Sequence, residues 1–191
     1  GSSRVSEEII RIGRVNTGVL IQPLSSEHIL QFKRDMQDAF QQGAIDGFGK
    51  VDEQILPESH IDYSLNTKGA VAYEAMLDGE LVGGAIVVIN EEAKRGHLDF
   101  LYVKNGIQGK GIGQTMWKHI EASHPQITLW ETVTPYFDKR NIHFYINRLG
   151  FHAVEFFWQG HKDPHDMDKP DDLPDNEYFD GMFRFEKSIS K

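Results

Sequence analysis

A strand, a glycine-rich turn and a helix follow one another in the middle of the chain, and this segment narrows the choice of folds more than any other. The strand is predicted over residues 97–103, and the turn carries four glycines between positions 106 and 113. Apolar residues then recur at helical spacing, at Ile112, Met116, Trp117 and Ile120. With the flanking elements, this segment predicts an α/β fold.

The start of such a helix favours phosphate. Its first backbone amides lack partners within the helix and carry roughly half a positive charge from the helix dipole. Glycines in the turn let an anion approach these amides, and they allow backbone angles that a Cβ forbids. The segment therefore predicts a diphosphate-binding turn.

Two well-known phosphate loops do not match this turn. The dinucleotide pattern G-x-G-x-x-G needs a third glycine where Gln114 or Met116 stands. The nucleoside-triphosphate loop needs Gly-Lys-Ser/Thr, but Gly111 follows Lys110 here. The pattern that is present is Q-x-x-G-x-G, formed by Gln108, Gly111 and Gly113.

This pattern resembles the signature of the GNAT superfamily of N-acetyltransferases, Q/R-x-x-G-x-G/A between a strand and a helix. Residues 140–151 are similar to a later helix of that family, N-x-x-A-x-x-x-Y-x-x-x-G-F. Aligned on Tyr145, the family's asparagine falls at Asp138 and its small residue at Asn141. Tyr145 is one residue farther from Gly150 than in the pattern, which predicts a helix irregularity.

The resemblance implies a single domain over residues 17–191, after an N-terminal extension at 1–16. It implies a mixed, mostly antiparallel sheet of about seven strands, flanked by about four helices and splayed at an acetyl-coenzyme A site. The residues that it predicts to bind acetyl-coenzyme A are Leu101, Tyr102, Val103, Gln108, Gly109, Lys110, Gly111, Ile112, Gly113, Gln114 and Asn141.

Attack of an amine on a thioester needs a base and an acid. An alkylammonium of pKa about 10.4 is neutral in about one molecule in 2,500 at pH 7, a cost of about 4.6 kcal/mol. The resemblance places the Tyr145 hydroxyl beside the departing sulfur, as an acid; the alternative is a buried aromatic that packs a helix on the sheet.

Glu131 is the predicted base, because alternation puts it on the face of Leu129 and Val133, where a carboxylate would be costly unless paired or useful. The alternatives are a salt-bridged Glu131, the pair His97 and Asp99 on the preceding strand, or ordered water.

Composition limits the chemistry. The 191 residues contain no cysteine, so acyl transfer would be direct and not through an acyl-cysteine, and a cytoplasmic location agrees with this composition. The net charge of -9 opposes nucleic acid and favours a cationic amine. Neither a membrane-spanning segment nor a metal site is predicted, and a homodimer is left open.

Local patterning predicts the order β-α-α-β-β-β-α-β-α-β-β, with a hairpin turn at Asp78-Gly79 and a glycine-bearing link over residues 43–56. The acidic, proline-broken residues 161–175 fit a metal loop, an acceptor-pocket loop or a solvated connection. Residues 43–66 and 160–178 are the predicted acceptor walls.

The prediction is an N-acetyltransferase that moves an acetyl group from acetyl-coenzyme A to a primary amine in a ternary complex. A non-catalytic module that binds or senses acyl-coenzyme A is the alternative, and an adenine dinucleotide binder is disfavoured by the missing glycine.

Overall fold

The structure is a computed structural model, and it describes residues 18–107, 109–158, 160–161 and 181–189. The predicted order of elements is confirmed. The elements are β1 (Leu20–Pro23), a 3-10 turn (Ser26–His28), α1 (Ile29–Phe48), α2 (Glu58–Asn66), β2 (Ala70–Leu77), β3 (Glu80–Asn90), β4 (Arg95–Val103), α3 (Ile112–Ser123), β5 (Leu129–Pro135), α4 (Lys139–Phe144), a π-helix (Tyr145–Leu149), β6 (His152–Phe157) and β7 (Met182–Ser188).

The seven strands form one sheet in the order β1-β2-β3-β4-β5-β7-β6. Every neighbouring pair is antiparallel except β4 and β5, which are parallel. The predicted mixed, mostly antiparallel sheet flanked by four helices is therefore confirmed.

Helices cover both faces of the sheet. On one face, Phe32 and Met36 of α1 and Ile61 of α2 pack against Ile86 and Tyr102 of the central strands. The opposite face packs against α3, the π-helix and the residues after it, through the core residues Met116, Trp117, Ile120, Leu98, Trp130, Tyr145, Phe151 and Phe185. A site between β4 and β5 therefore lies between two packed layers.

Helix α1 is longer than predicted. Ser25 caps the 3-10 turn that leads into it, since its Oγ accepts a hydrogen bond from the Glu27 amide at 3.3 Å. The predicted link over residues 43–56 is wrong in its first half, because α1 continues through Gly43 and Gly47 to Phe48. Neither α1 nor any other described helix is long and apolar enough to cross a membrane.

The two glycines are explained by a tertiary contact and not by a break in the helix. A Cβ at Gly47 would lie 2.8 Å from the carbonyl oxygen of Phe137, and one at Gly43 would lie 3.3 Å from Asp138 Oδ2. The segment before α4 therefore packs directly against the backbone of α1 at the two glycines, and that contact offsets the low helix propensity of glycine.

Glu74 on β2 is a fully buried carboxylate that holds β1 and the 3-10 turn against the sheet. It accepts hydrogen bonds from Gln22 Nε2 at 2.5 Å and from the Ser25 amide at 3.0 Å, and His28 Nδ1 lies 2.8 Å away. Burial pushes the pKa of Glu74 upward, but these donors outweigh it, so the pKa lies below its ordinary value.

Glu74→Gln is expected to lower the free energy of unfolding by about 1–3 kcal/mol at pH 7, because one buried donor then faces an amide NH2 group. A lowered folded-state pKa stabilises the protein above the unfolded-state pKa of about 4.3, and this stabilisation is lost as the pH falls through the folded-state pKa. The difference between the two proteins should therefore shrink on acidification. Urea unfolding from pH 6 to pH 3.5 measures it.

The matched control is Glu80→Gln, which makes the same chemical change at an exposed position in the next strand. We expect it to change the free energy of unfolding by less than about 0.5 kcal/mol. A Glu74→Gln protein as stable as the control at pH 7 would contradict the role of Glu74.

Candidate active site

Strands β4 and β5 separate after four paired positions. Their pairing runs from Arg95 opposite Leu129 to Leu98 opposite Thr132, whereas β4 continues to Val103 and β5 to Pro135. In the described part of the chain no strand pairs with residues 99–103 of β4 on that side. Residues 99–102 therefore run about four residues, roughly 13 Å, along an edge that no described strand covers.

Three strand residues that were predicted to bind acetyl-coenzyme A, Leu101, Tyr102 and Val103, lie at this edge. Leu101 and Tyr102 bury their side chains on opposite faces of the sheet, and Val103 is half-buried. Their backbone groups can therefore serve an extended ligand while their side chains hold the strand in place.

The glycine-rich turn begins directly after β4 and ends at the first residue of α3. Gly109 and Gly111 have φ angles of +90° and +75°, and Gly111 is the N-cap residue. A Cβ at Gly109 would meet no atom within 4 Å. The turn therefore has open space at Gly109, close to the start of α3, whose first backbone amides lack partners within the helix and suit a diphosphate.

Gly113 allows α3 to pack closely against α4, in addition to its predicted role in admitting a diphosphate. A Cβ at this position would lie 2.8 Å from Phe144 Cζ, so the first turn of α3 touches the end of α4 only because no side chain intervenes. Gln114 extends toward the π-helix, where its Nε2 lies 3.5 Å from the Arg148 carbonyl oxygen. Lys110 is exposed at the turn, and Gln108 lies outside the described residues.

Tyr145 lies at the junction of α4 and the π-helix. The π-helix absorbs the extra residue before Gly150, so the predicted helix irregularity is confirmed; the amides of Gly150 and Phe151 both reach the Tyr145 carbonyl oxygen. The ring packs between Phe151 and Phe185. Its hydroxyl lies close to Thr134 and Thr132, and Thr132 is the last residue of β5 that pairs with β4.

Burial raises the pKa of Tyr145 well above that of an ordinary phenol, and the nearby Asp138 carboxylate adds to the shift. The hydroxyl therefore keeps its proton at neutral and alkaline pH. It can donate a hydrogen bond or a proton to a thiolate that forms where β4 and β5 separate.

Asn141 is bound to the residue that caps its own helix. Its backbone amide donates to Asp138 Oδ1 at 3.2 Å, and its Nδ2 donates to Asp138 Oδ2 at 2.8 Å. Burial raises the pKa of Asp138, although both contacts with Asn141 oppose the shift. The contact of Asn141 with a cofactor stays a prediction.

Glu131 lies on the other face of β5 from Tyr145. The alternation is present, but the prediction that Leu129, Glu131 and Val133 form the core face is wrong, because the buried residues of β5 are Trp130, Thr132 and Thr134. The aromatic contact of Trp130 with Trp117 on α3 selected that face. Glu131 Oε1 lies 3.6 Å from Arg95 and 3.7 Å from Arg184, an arrangement that supports the ion-paired alternative.

Three polar side chains meet near the end of the β4–β5 pairing. Ser64 Oγ on α2 donates to Asp99 Oδ2 at 2.6 Å, and His97 Nδ1 lies 2.6 Å from Asp99 Oδ1. The sequence indicated that His97 and Asp99 form a pair, because alternate residues of a strand share a face. It gave no indication of Ser64, which lies 35 residues before Asp99 on α2, because the sequence does not show where α2 docks on the sheet.

Residues 162–180 of the acidic segment lie outside the described residues. Within the described part of the chain, no group of three or more His, Asp or Glu side chains is arranged to hold a metal ion.

Comparison with known proteins gives a consistent result. The model of the acetyltransferase (GNAT) family matches residues 33–151. The uncharacterized protein YrkN of Bacillus subtilis (strain 168) is 41% identical over 180 residues, which cover 91% of this chain and 95% of YrkN.

The fold is similar to that of solved acetyltransferases. The ribosomal-protein-S18-alanine N-acetyltransferase of Escherichia coli superposes with a TM-score of 0.64 at 12% identity, over 91% of this chain and 95% of that one. The PaiA N-acetyltransferase of Thermoplasma acidophilum, solved in complex with coenzyme A, has a TM-score of 0.62 at 17% identity, over 90% and 99%. Together with the family match and the 41% identical relative, this places the chain in the acetyltransferase (GNAT) family.

Proposed function

We propose that this protein transfers the acetyl group of acetyl-coenzyme A directly to a primary amine in a ternary complex. The observation that carries the proposal is the separation of β4 from β5 beyond Leu98 and Thr132, which opens an edge that leads to the glycine turn and starts beside the Tyr145 hydroxyl.

The parts of this opening suit the parts of the cosubstrate. Residues 109–113 would hold the diphosphate through open amides at the start of α3, and the backbone of residues 101–103 would pair with the pantetheine arm. Bound acetyl-coenzyme A supplies the thioester. The chain contains no cysteine to carry an acyl intermediate, which supports direct attack.

The acceptor is proposed to be cationic before it loses its proton, because the chain carries a net charge of -9. A polyamine, an aminoglycoside and a lysine or N-terminal amine of a peptide fit this description equally well.

A second candidate is a module that binds or senses acyl-coenzyme A without catalysis. The observation that favours it is the burial of Tyr145, which is 3% exposed and whose hydroxyl lies close to two threonines. A buried aromatic that packs a helix on a sheet needs no catalytic role.

Calorimetric titration with acetyl-coenzyme A, followed by an assay of free thiol release over a panel of amines, separates the candidates. The proposed enzyme should bind acetyl-coenzyme A and release thiol only when a suitable amine is present. Binding without acetyl transfer to any amine would support the sensing module. Absence of binding would contradict both, and retention of labelled NAD without competition by coenzyme A would revive a dinucleotide site.

A further inference from the structure

We infer that His97, oriented by Asp99 and Ser64, is the general base that takes the proton from the acceptor amine. This inference rests on the proposed acetyl transfer. It assigns the base to the sheet face opposite Tyr145.

The hydrogen bonds define the orientation of the imidazole. An ionised carboxylate only accepts hydrogen bonds, so the 2.6 Å contact with Asp99 Oδ1 assigns a proton to His97 Nδ1. In the neutral ring Nε2 then carries the free lone pair, and the ring is 36% exposed. Ser64, which is 3% exposed, holds the second carboxylate oxygen from the buried side. A carboxylate that orients and stabilises an imidazolium is a recurrent device for proton transfer.

A β-bulge places this pair where the two strands separate. Val87 of β3 pairs with Leu98 and Ile86 pairs with Phe100, so Asp99 is the extra residue of β4 and has no partner in β3. Leu98 is also the last residue of β4 that pairs with β5. His97 and Asp99 therefore flank the vertex of the opening, at the inner end of the free edge.

The pair and Tyr145 lie on opposite faces of that vertex. His97 pairs in register with Glu131, and the next pair is Leu98 with Thr132. Because side chains alternate along a strand, His97 shares the face of Glu131, while Thr132 and Tyr145 share the other. On the His97 face, α1 and α2 pack over β2 to β4.

This separation suits the reaction. The acceptor ammonium first releases one proton to water. As the neutral amine then bonds to the carbonyl carbon, its nitrogen gives a second proton to Nε2, and the carbon–sulfur bond breaks. The thiolate receives a proton from the Tyr145 hydroxyl, which is restored from solvent, and the imidazolium releases its proton to water. Atoms and charges balance without a further reactant, and acid and base approach the reacting carbon from different sides.

Other titratable groups lie on the neighbouring elements. Glu131 on β5 is the register partner of His97 and is ion-paired with Arg95 and Arg184, and Arg184 also contacts Glu186. His60 lies one turn before Ser64 on α2. Val88 of β3, the register partner of His97, is neutral. Glu131 Oε1 is ion-paired with two guanidinium groups, whereas Nε2 of His97 carries a lone pair on a side chain that is 36% exposed, so the geometry favours His97 over Glu131 as the base.

The test compares pH profiles of acetyl transfer for the unsubstituted protein, His97→Gln, Asp99→Asn and Glu131→Gln. His97→Gln should lower kcat by about 100-fold and remove the fall of kcat/KM on the acid side of neutrality, because an imidazolium cannot accept a proton. Asp99→Asn should also lower kcat, since an amide no longer stabilises the imidazolium. The dissociation constant of coenzyme A should stay within about threefold in both variants.

His152→Gln is the control, because it removes an exposed imidazole on β6, at the far edge of the sheet, and should leave the profile unchanged. A His97→Ala protein that regains activity with added imidazole would further support the role.

Full activity with an unchanged profile in His97→Gln, or loss of the acid limb only in Glu131→Gln, would overturn the inference and leave the proposed function intact. Acetyl-coenzyme A binding without acetyl transfer by the unsubstituted protein would contradict both.

Discussion

Tyr145→Phe is expected to lower kcat by about 100-fold and to leave the affinity for coenzyme A unchanged. The change removes only the hydroxyl, which lies close to Thr132 and Thr134 where β4 and β5 separate, while the ring keeps its packing on Phe151 and Phe185. Because burial raises the pKa of this hydroxyl, it stays protonated at working pH, and its loss removes a donor at every pH from 6 to 9. Steady-state thiol release and calorimetry with coenzyme A measure the two quantities.

Tyr73→Phe is the matched control. Tyr73 is also buried, and its hydroxyl lies 2.7 Å from His124 Nε2 on the same face of the sheet, but on β2, away from the opening. Both variants should lose about 1 kcal/mol of unfolding free energy, since each loses one buried hydrogen-bonding group. Only Tyr145→Phe should lose turnover. Equal turnover in the two variants would make Tyr145 a packing residue.

Gly109→Ala should weaken the binding of coenzyme A by at least tenfold. Gly109 has a φ of +90° and open space around the position of a Cβ. An alanine there introduces strain of roughly 1–2 kcal/mol, which the turn relieves by rotating its backbone, and the added methyl group stands in the space before the α3 amides. Calorimetric titration gives the affinity, and thermal unfolding reports the strain.

Gly79→Ala controls for that strain. Gly79 has a φ of +79°, and no atom lies within 4 Å of its Cβ position, but it belongs to the hairpin turn between β2 and β3. The two variants should lose similar stability, and the Gly79→Ala protein should bind coenzyme A normally. If both bind it with unchanged affinity, the glycine turn is not the diphosphate site.

The core of the proposed site could be predicted because its signals are local. The residues from β4 through the glycine turn to α3 are contiguous, so a strand period, glycines and a helix period are enough to predict them. The irregularity near Tyr145 was predictable for the same reason, since one extra residue before Gly150 has to be accommodated within the same helix, and it forms a π-helix.

The predictions that failed concern the length of a helix and the buried face of a strand, and both depend on contacts with another element. Gly43 and Gly47 indicate a helix end, but they lie inside α1 because residues 137–138 pack against them. Glu131 belongs to a regular alternation in which either face can be the core face. Trp130 determines which face of β5 is buried, because it packs against Trp117 on α3, a helix that precedes β5 in the chain.

By itself, the sequence determined the order of the elements, the glycine turn and the presence of an irregular tyrosine helix, because each depends on the spacing of neighbouring residues. Only the tertiary structure decided which face of β5 is buried, where β4 and β5 separate, and that Ser64, Asp99 and His97 meet across the vertex from Tyr145. These features depend on how helices dock on a twisted sheet, and that docking is determined by the burial of side chains that are far apart in the chain.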